Sequence, residues 1–361
     1  MLLAAALLCL HACGDRSAFA ASPVLNLFIW SDYLAPETIP SFEKATGIKA
    51  RILYFDTNET LETQLLAGNS GFDVVLPSAP YFQRQIKAGA YRTLDRSRLK
   101  HLGNLDPGLM NLVTQYDPRN EHGLIYLWGT EGLGFNEARI RKLLPDVPID
   151  SWRLIFDPQF AERLAPCGIH VLDNPAGVTR IVLKYLGRDP NSPSPADLQD
   201  AERTLLRIRP YIRSIDSSPY ISALASGDLC MALAYNGDVA QARDRALESK
   251  NGIEVKFSIP NEGGIIWFDM IAIPKSAPNP QSAYAFLDHV LDARTMAGIS
   301  NSTRYANANA AATPWVESSI LRDRVIYPTA DERRRLFIQL ADTDDRARAI
   351  MRLWQRFKTG Q

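Results

Sequence analysis

Three short stretches of this sequence place a carboxylate beside aromatic side chains, and a fourth adds a tyrosine among small polar residues. The stretches read "WSDY" with Asp32, "AYNGDV" with Asp238, "IIWFDM" with Asp269 and "TRYANAN" with Tyr305. A carboxylate neutralises an ammonium group, and the face of an aromatic ring attracts the same cation through its quadrupole. This chemistry predicts the binding of a cationic amine, and it does not by itself predict catalysis.

Asp269 is the strongest of these candidates because it interrupts an apolar run. The run reads "IIWFDMIAIP", which is typical of a buried strand. A carboxylate buried there requires a cation or strong hydrogen-bond donors, and a structural Arg or Lys is one alternative partner. The other acids also have simpler explanations, since Asp238 is well placed to cap a helix and Asp32 to cap the turn before Pro36. The tryptophans of these stretches are equally compatible with a packed core.

Strands that alternate with helices position these stretches. Apolar runs predict strands at 73–76, 231–235 and 266–273, and helical periodicity predicts helices at about 197–209, 239–248 and 281–293. Ser78 is expected to cap a helix that begins near Pro80. The alternation predicts α/β layers with mostly parallel sheets. The 361 residues suit two domains, and because no linker separates them, we expect the chain to cross between the domains more than once.

Composition and motifs exclude several classes of protein. Forty Lys and Arg residues balance forty Asp and Glu residues, so the formal net charge is +0 and no basic surface for nucleic acid is expected. The chain contains no HExxH, GxSxG, Walker or CxxC motif. The glycines of "GTEGLG" at 129–134 lack the order and context of a phosphate-binding loop, and the histidines lack metal-ligand spacing. We therefore expect no enzyme, no cofactor and no metal site.

The first 22 residues are interpreted as an export signal. They begin "MLLAAALLCLHAC", an apolar run of about a dozen residues, which is shorter than the roughly 20 that a spanning helix needs. Cleavage after the small residues at 18–20 and lipidation at Cys13 are both compatible with the pattern. Either route leaves Cys167 and Cys230 in the mature chain. In an oxidising compartment these two cysteines are a disulfide candidate, with two separately buried thiols as the alternative.

Longer stretches resemble a known family. They read "NLFIWSDYLAPETIPSFEKATGIK", "FDVVLPSAPYFQRQIKAG", "ALASGDLCMALAYNGDVAQA", "FSIPNEGGIIWFDMIAIP" and "RYANANAAATP". From about Leu25 to the C-terminus, the chain resembles the polyamine-binding proteins of bacterial ABC importers, particularly the putrescine-binding branch. The resemblance implies a periplasmic-binding-protein fold (type II), in which two α/β lobes close by a hinge around a ligand cleft. The implied lobes are residues 24–127 plus 247–301 and residues 128–246 plus 302–361.

The resemblance also implies which residues bind the ligand. Carried over by motif, they are Trp30, Ser31, Asp32, Tyr33, Ser78, Tyr81, Tyr235, Asp238, Trp267, Asp269 and Tyr305. The family usually has Trp at the position of Tyr235 and often Phe at that of Trp267. The resemblance further implies a disulfide between Cys167 and Cys230. It predicts a monomer in the periplasm, soluble or lipid-anchored through Cys13, that passes a small cationic amine to an ABC permease in the inner membrane.

One departure from the family leaves the ligand open. Putrescine binders carry "APEEV", whose second Glu helps to hold the ligand, where this chain reads "NPAGV" with Asn174 and Gly177. Losing one charged hydrogen bond costs roughly 1.5 to 3 kcal/mol. An ω-amino acid such as 4-aminobutyrate or 5-aminovalerate is therefore an alternative ligand, with its carboxylate at the helix after Ser78 and assisted by Arg180 or Arg304. A sensor that docks on a signalling partner instead of a permease is a further alternative.

Overall fold

The computed structural model describes residues 23–31, 33–217 and 219–361. The predicted export signal with Cys13 lies outside the described residues, and so does Asp32. Within the three described ranges, no helix combines the length and the apolar character that crossing a bilayer requires.

Strands and helices alternate along most of the described chain. The strands are β1 (Val24–Trp30), β2 (Lys49–Phe55), β3 (Val74–Val75), β4 (Gly123–Phe135), β5 (Ile169–Leu172), β6 (Ser214–Asp216), β7 (Met231–Tyr235), β8 (Lys256–Ser258), β9 (Ile265–Ala272), β10 (Ala306–Asn307) and β11 (Phe337–Ile338). The helices are α1 (Thr38–Thr46), α2 (Asn58–Leu66), α3 (Ala79–Lys87), α4 (Pro107–Leu112), α5 (Glu137–Leu143), α6 (Arg153–Phe156), α7 (Pro158–Leu164), α8 (Pro175–Tyr185), α9 (Pro195–Ile208), α10 (Tyr220–Ser226), α11 (Asn236–Ser249), α12 (Pro280–Val290), α13 (Ala293–Thr303), α14 (Ser318–Leu321), α15 (Ala330–Arg334) and α16 (Asp344–Thr359).

The sheet is parallel at its two ends and antiparallel in its centre. Its strand order is β2-β1-β3-β9-β4-β7-β5-β6. β1 runs parallel to β2 and β3, and β5 runs parallel to β6 and β7. The central pairs β3–β9, β9–β4 and β4–β7 are antiparallel. The prediction of mostly parallel sheets is therefore wrong for the centre, because β4 leaves the first half of the protein and β9 returns to it in the opposite direction.

β4 connects the two halves of the sheet. All 13 of its residues are buried, which requires that other elements cover both faces of the strand. Its first part, up to Thr130, pairs with β9, and its second part, from Glu131, pairs with β7. The residues around this change of partner therefore face the junction between the halves.

Buried apolar side chains form two clusters, which we call the first core and the second core. The first core contains side chains from residues 25–128 and 266–326, and the second core contains side chains from 133–257, Ile265 and 353–357. The predicted lobe boundaries stay a prediction, but these clusters favour two changes. Residues 247–258 pack with the second core, because β8 pairs with β4 beyond Leu133. Residues 302–326 pack with the first core, because β10 pairs with Leu127 and Trp128.

A disulfide between Cys167 and Cys230 lies in the second core. The two Cα atoms are 5.5 Å apart, and both side chains are buried. Cys167 precedes β5 and Cys230 precedes β7, which are parallel neighbours in the sheet. The predicted pairing is confirmed.

Candidate functional site

The C-terminal ends of three strands carry several of the predicted site residues. β1 ends at Trp30, β3 runs into Ser78 before α3, and β7 ends at Tyr235 before α11. In open α/β sheets, the crevice outside these strand ends is where ligands bind. Trp267 and Asp269 come from the same face of β9, since side chains two residues apart in a strand point the same way.

Asp269 is buried and accepts two short hydrogen bonds from the first core. Its side chain is 6% exposed, Ser78 Oγ donates to Oδ1 at 2.6 Å, and Tyr33 Oη donates to Oδ2 at 2.6 Å. Burial raises the pKa of Asp269 to about 6, although both hydroxyl groups oppose the shift. Ser78 occupies the predicted N-cap position of α3, but its hydroxyl makes no capping bond because it turns to Asp269.

Asp238 lies in the first turn of α11 and is held by two tyrosines. Tyr220 Oη donates to Oδ2 at 2.6 Å, and Tyr305 Oη donates to Oδ1 at 3.0 Å. Burial raises the pKa of Asp238, and the two hydrogen bonds act in the opposite direction. The bond from Tyr305 joins the two halves, because Tyr305 packs against the first core and α11 packs in the second.

Aromatic rings connect the surroundings of the two acids, since Tyr33 bonds to Asp269 and Tyr305 bonds to Asp238. The Trp267 ring lies edge-on to Tyr305 with 5.1 Å between centroids, and Tyr305 lies 6.1 Å from Tyr33. Tyr235 is perpendicular to Trp267 at 6.3 Å. We call Tyr33, Tyr235, Trp267 and Tyr305 the aromatic cluster. The rings meet edge to face at angles of 62° to 89°, and the face of an aromatic ring is the part that attracts a cation.

Two glycines permit the close approach of these rings to the backbone. A Cβ atom at position 129 would lie 2.3 Å from Cζ2 of Trp267. A Cβ atom at position 237 would lie 2.3 Å from Cε1 of Tyr305. Gly129 and Gly237 are therefore required by packing at the cluster, and Gly129 belongs to the "GTEGLG" stretch that the sequence analysis set aside.

The two carboxylates have no cationic partner in the described part of the chain. No lysine, arginine or histidine of that part forms an ion pair with Asp238 or Asp269. Hydroxyl groups donate to both acids and orient them, and Arg245 acts on Asp238 electrostatically without forming an ion pair. An arrangement of two oriented acids and four aromatic rings can therefore attract an organic cation.

Three predicted residues are not part of the aromatic cluster. Trp30 Nε1 donates to the backbone oxygen of Leu76 at 2.8 Å, and its ring packs on Phe55. Ser31 is exposed. The hydroxyl group of Tyr81 donates a hydrogen bond to Glu59 on α2. A ligand-binding role for these residues stays a prediction.

Tyr220 and Glu131 contact the site residues although motif reasoning did not assign them, and Asn174, which the departure from the family had singled out, contacts Glu131. Glu131 lies in β4 with its side chain 2% exposed, and Asn174 Nδ2 donates to it at 3.1 Å. The signal for Glu131 is the one that identified Asp269, an acid inside an otherwise apolar strand. Tyr220 has no comparable signal, because it lies 18 residues from its partner Asp238.

Asn174 fills the space beside Gly177. Its Oδ1 accepts from the Gly177 N–H at 3.0 Å, which caps α8. A Cβ atom at position 177 would lie 2.3 Å from Asn174 Nδ2. The absence of a side chain at Gly177 is thus coupled to the presence of Asn174.

One hollow on the described surface, away from the aromatic cluster, has mainly cations among its charged side chains. This hollow of about 640 Å³ near α12 is lined by Arg92, Arg98 and Lys275, with Asp95 as its acid. An ammonium ion would be repelled by these three cations. Among the described residues, no group of three or more His, Cys, Asp or Glu side chains is arranged to hold a metal ion.

Comparison with known proteins places these features in a family context. Residues 37–322 match the model of the family described as bacterial extracellular solute-binding protein. The putrescine-binding periplasmic protein PotF of Escherichia coli (strain K12) is 45% identical over 344 residues, which cover 95% of this chain and 93% of that protein. The putrescine-binding periplasmic protein SpuD of Pseudomonas aeruginosa (strain UCBPP-PA14) is 43% identical over 343 residues, covering 95% and 94%.

A solved structure shows the same fold. The spermidine/putrescine ABC transporter substrate-binding protein PotD from Streptococcus pneumoniae strain Canada MDR_19A superposes with a TM-score of 0.79 at 24% identity. The match covers 94% of this chain and 99% of that one. The fold predicted from the resemblance is confirmed.

Proposed function

This chain belongs to the bacterial extracellular solute-binding proteins, and on that premise we propose that it is a periplasmic receptor for a polyamine, putrescine or spermidine. The receptor delivers its ligand to an ABC permease in the inner membrane. The observation that carries this proposal is the pair of acids, buried Asp269 and partly buried Asp238, which border the aromatic cluster and with which no cation of the described residues forms an ion pair. The names of its relatives, two of which are putrescine-binding proteins, support the same ligand class.

The two acids bind opposite parts of the ligand in this proposal. One ammonium group donates charge-assisted hydrogen bonds to Asp269, and another donates to Asp238. The rings of Trp267 and Tyr305 contact the methylene groups and the cations between them. Because Asp269 is bonded to the first core and Asp238 lies in the second, a ligand that contacts both stabilises the closed arrangement of the lobes.

An ω-amino acid fits the site less well than a diamine. Its carboxylate was expected at the start of α3, but Asp269 already places a negative charge beside Ser78 there. Arg180 is 1% exposed and donates to Asp342 at 2.7 Å, so it is not free to bind a ligand. Arg304 forms ion pairs with Asp244 and Glu317, so its charge is also already matched by acids of the chain.

In this proposal the protein binds and releases its ligand without changing it chemically. The protein acts as a monomer, because a single chain supplies both acids and all four rings of the cluster. The remaining predicted residues, Trp30, Ser31, Asp32 and Tyr81, are proposed to line the cleft. If the protein delivers its ligand to a permease, deletion of the gene that encodes it should lower cellular uptake of the amine. A sensor would not have this effect. Unchanged uptake in the deletion strain would favour the sensor.

Thermal unfolding of the mature protein tests the ligand class. The protein is first unfolded and refolded so that copurified ligand is removed, and is then heated with putrescine, cadaverine, spermidine, agmatine, 4-aminobutyrate or 5-aminovalerate. A ligand that binds only the folded state stabilises it by about 2.7 kcal/mol at a hundred times its dissociation constant. We expect the diamines or the triamine to raise the midpoint. A shift with the amino acids alone would overturn the proposal.

Butylamine and 1,4-butanediol are the matched control ligands. Each has the four-carbon chain of putrescine, but butylamine has one ammonium group and the diol has none. If the two acids bind two ammonium groups, both controls should shift the midpoint far less than putrescine. An equal shift with butylamine would show that only one acid binds a cation.

A further inference from the structure

Glu131 is a buried acid that the proposed pair of carboxylates does not include. Its side chain is 2% exposed in the middle of β4, where every residue is buried. Oε1 accepts a hydrogen bond from Asn174 Nδ2 at 3.1 Å. Oε2 is buried and has no hydrogen-bond partner among the described residues. A buried carboxyl oxygen without a partner is costly, which points to a group that arrives from outside the chain.

The position of Glu131 in the sheet places it beside the aromatic cluster. Glu131 pairs with Tyr235 across the antiparallel strands β4 and β7, so their side chains share one face with Cβ atoms about 4.5 to 5.5 Å apart. Gly129, two residues earlier on the same face, is the residue over which the Trp267 ring lies. The free oxygen of Glu131 therefore belongs to the surroundings of Tyr235 and Trp267.

Asn174 holds this part of the site together. Its Nδ2 contacts Glu131 Oε1 and also donates to the Tyr235 hydroxyl at 3.3 Å. Its Oδ1 is fixed by the N–H of Gly177 at 3.0 Å. The geometry orients Glu131 without neutralising it, because an amide carries no charge.

No cation of the described chain pairs with Glu131. Arg180 is the cation that acts on it electrostatically, but its guanidinium donates to Asp342 and to the backbone oxygen of Leu340 at 2.7 Å. Burial raises the pKa of Glu131 to about 8. The surrounding elements carry Arg180 on α8, Tyr235 on β7, Lys256 on β8, Asp269 on β9 and Asp238 on α11, together with groups nearer the ends of α8 and α11, namely Lys184, Tyr185, Arg243, Asp244, Arg245 and Glu248. Lys256 is occupied by Glu137.

We propose that Glu131 is a third ligand-binding carboxylate, whose Oε2 accepts a charge-assisted hydrogen bond from an ammonium group of the bound polyamine. This inference rests on the proposed function and identifies a further residue that determines its specificity. Glu131 then provides, from β4, the carboxylate that is missing at Gly177 on α8. Asn174 is a positioning residue, because it acts through Glu131 and Tyr235.

Binding of an ammonium group by Glu131 requires the ionised carboxylate. In the ligand-free protein near pH 7, the raised pKa keeps most of this carboxyl group protonated. The bound cation favours the ionised form, so the proton leaves Glu131 for the solvent when the ligand binds. Amine binding should therefore release a proton and should strengthen as pH rises toward 8.

Isothermal titration calorimetry of wild type and Glu131→Gln tests the inference. Putrescine and spermidine are titrated near pH 7 in phosphate and in Tris, whose different ionisation enthalpies report the number of protons released. Wild type should release a larger fraction of a proton than the variant. Near pH 9, where the wild-type carboxylate is ionised, the variant should bind at least about tenfold more weakly, and this difference should shrink near pH 6.

Two further variants complete the experiment. Glu248→Gln removes the same charge from an exposed position of α11 and should behave as wild type in every measurement. Glu131→Asp keeps the charge but shortens the side chain, so it should weaken binding while retaining proton release. It also provides the test if Glu131→Gln does not fold.

The possible outcomes separate the two proposals. If wild type binds an amine and Glu131→Gln has the same affinity and the same proton release, Glu131 is not a ligand residue, and the proposed function stands. If wild type binds no amine, the proposed function fails and this inference fails with it.

Discussion

Asp269→Asn should weaken ligand binding while leaving the ligand-free protein at least as stable as wild type. Asp269 accepts bonds from Ser78 and Tyr33 inside a nearly closed environment. Asparagine has the same shape, and its oxygen and amide nitrogen can bond the same two hydroxyl groups. The variant therefore removes the charge and keeps the packing, so that the effect of charge on stability is separated from its effect on binding.

The magnitude on stability follows from the pKa. Burial raises the pKa of Asp269 from 3.8 to about 6 in the folded state. Between these values the folded protein binds more protons than the unfolded chain, so the free energy of unfolding falls as pH rises from about 4 to about 6. A difference of about two pKa units corresponds to roughly 3 kcal/mol. At pH 7 the free energy of unfolding of the variant should thus exceed that of wild type by up to about 3 kcal/mol. The fall in unfolding free energy between about pH 4 and about pH 6 should be absent from the variant.

The magnitude on binding has the opposite sign. A hydrogen bond to a charged group contributes about 1.5 to 3 kcal/mol, so loss of the carboxylate should raise the dissociation constant for putrescine at least about tenfold. Affinity of the wild type should fall as pH drops below about 6, because the protonated acid no longer neutralises the ammonium.

Urea unfolding of ligand-free protein at pH 4.5 and pH 7, together with calorimetric titration of putrescine, measures both effects. Asp146→Asn is a matched control, because Asp146 is exposed and the charge change is the same. The reasoning is refuted if Asp269→Asn retains wild-type affinity. It is also refuted if the unfolding free energy of the ligand-free variant at pH 7 is more than about 2 kcal/mol below that of wild type. The cost of burying the charge would then be smaller than the stabilisation by the hydrogen bonds of Asp269.

Two further predictions concern residues that stabilise the structure. Arg180→Met should lower the free energy of unfolding by at most about 3 kcal/mol, because Asp342 loses one of its two cationic partners and keeps Arg346. Near pH 9, where Glu131 is ionised, amine affinity should change little; urea unfolding and calorimetry measure the two quantities, and a selective loss of affinity there would contradict the structural role. Replacing Cys167 and Cys230 by Ala should cost about 4 kcal/mol, because the disulfide closes a loop whose ends are 63 residues apart. Wild type unfolded with reductant is the control, and equal stability of oxidised wild type and variant would show that the crosslink contributes nothing.

Local patterns predicted most of the strands and helices near the site. The predicted strand at 231–235 coincides with β7, and the predicted helices at 197–209, 239–248 and 281–293 overlap α9, α11 and α12. These elements can be predicted from the sequence because periodicity and capping depend on residues within a few positions of one another. Asp269 was identified in the same way, since an acid in an apolar run is a local anomaly.

The partners of the acids could not be predicted from patterns of this kind. Tyr33 and Asp269 are 236 residues apart, and Tyr305 and Asp238 are 67 apart. The family resemblance supplied these residues as a set, but it did not assign Tyr220 or Glu131. Ser78 shows the same limit for a hydrogen bond. Its local pattern predicted that its oxygen accepts a capping bond from the helix, but its hydroxyl instead donates to Asp269.

The sequence by itself predicted an export signal at the N-terminus, which stays a prediction. It determined the α/β alternation, the aromatic and acidic residue types and, by resemblance, the family. Only the tertiary structure decided that Glu131 faces Tyr235, that Asn174 occupies the space beside Gly177, and that Arg180 is taken by Asp342. The physical reason is that burial and hydrogen bonding depend on which strands pair and in which register. That pairing joins residues whose separation along the chain carries no local signal.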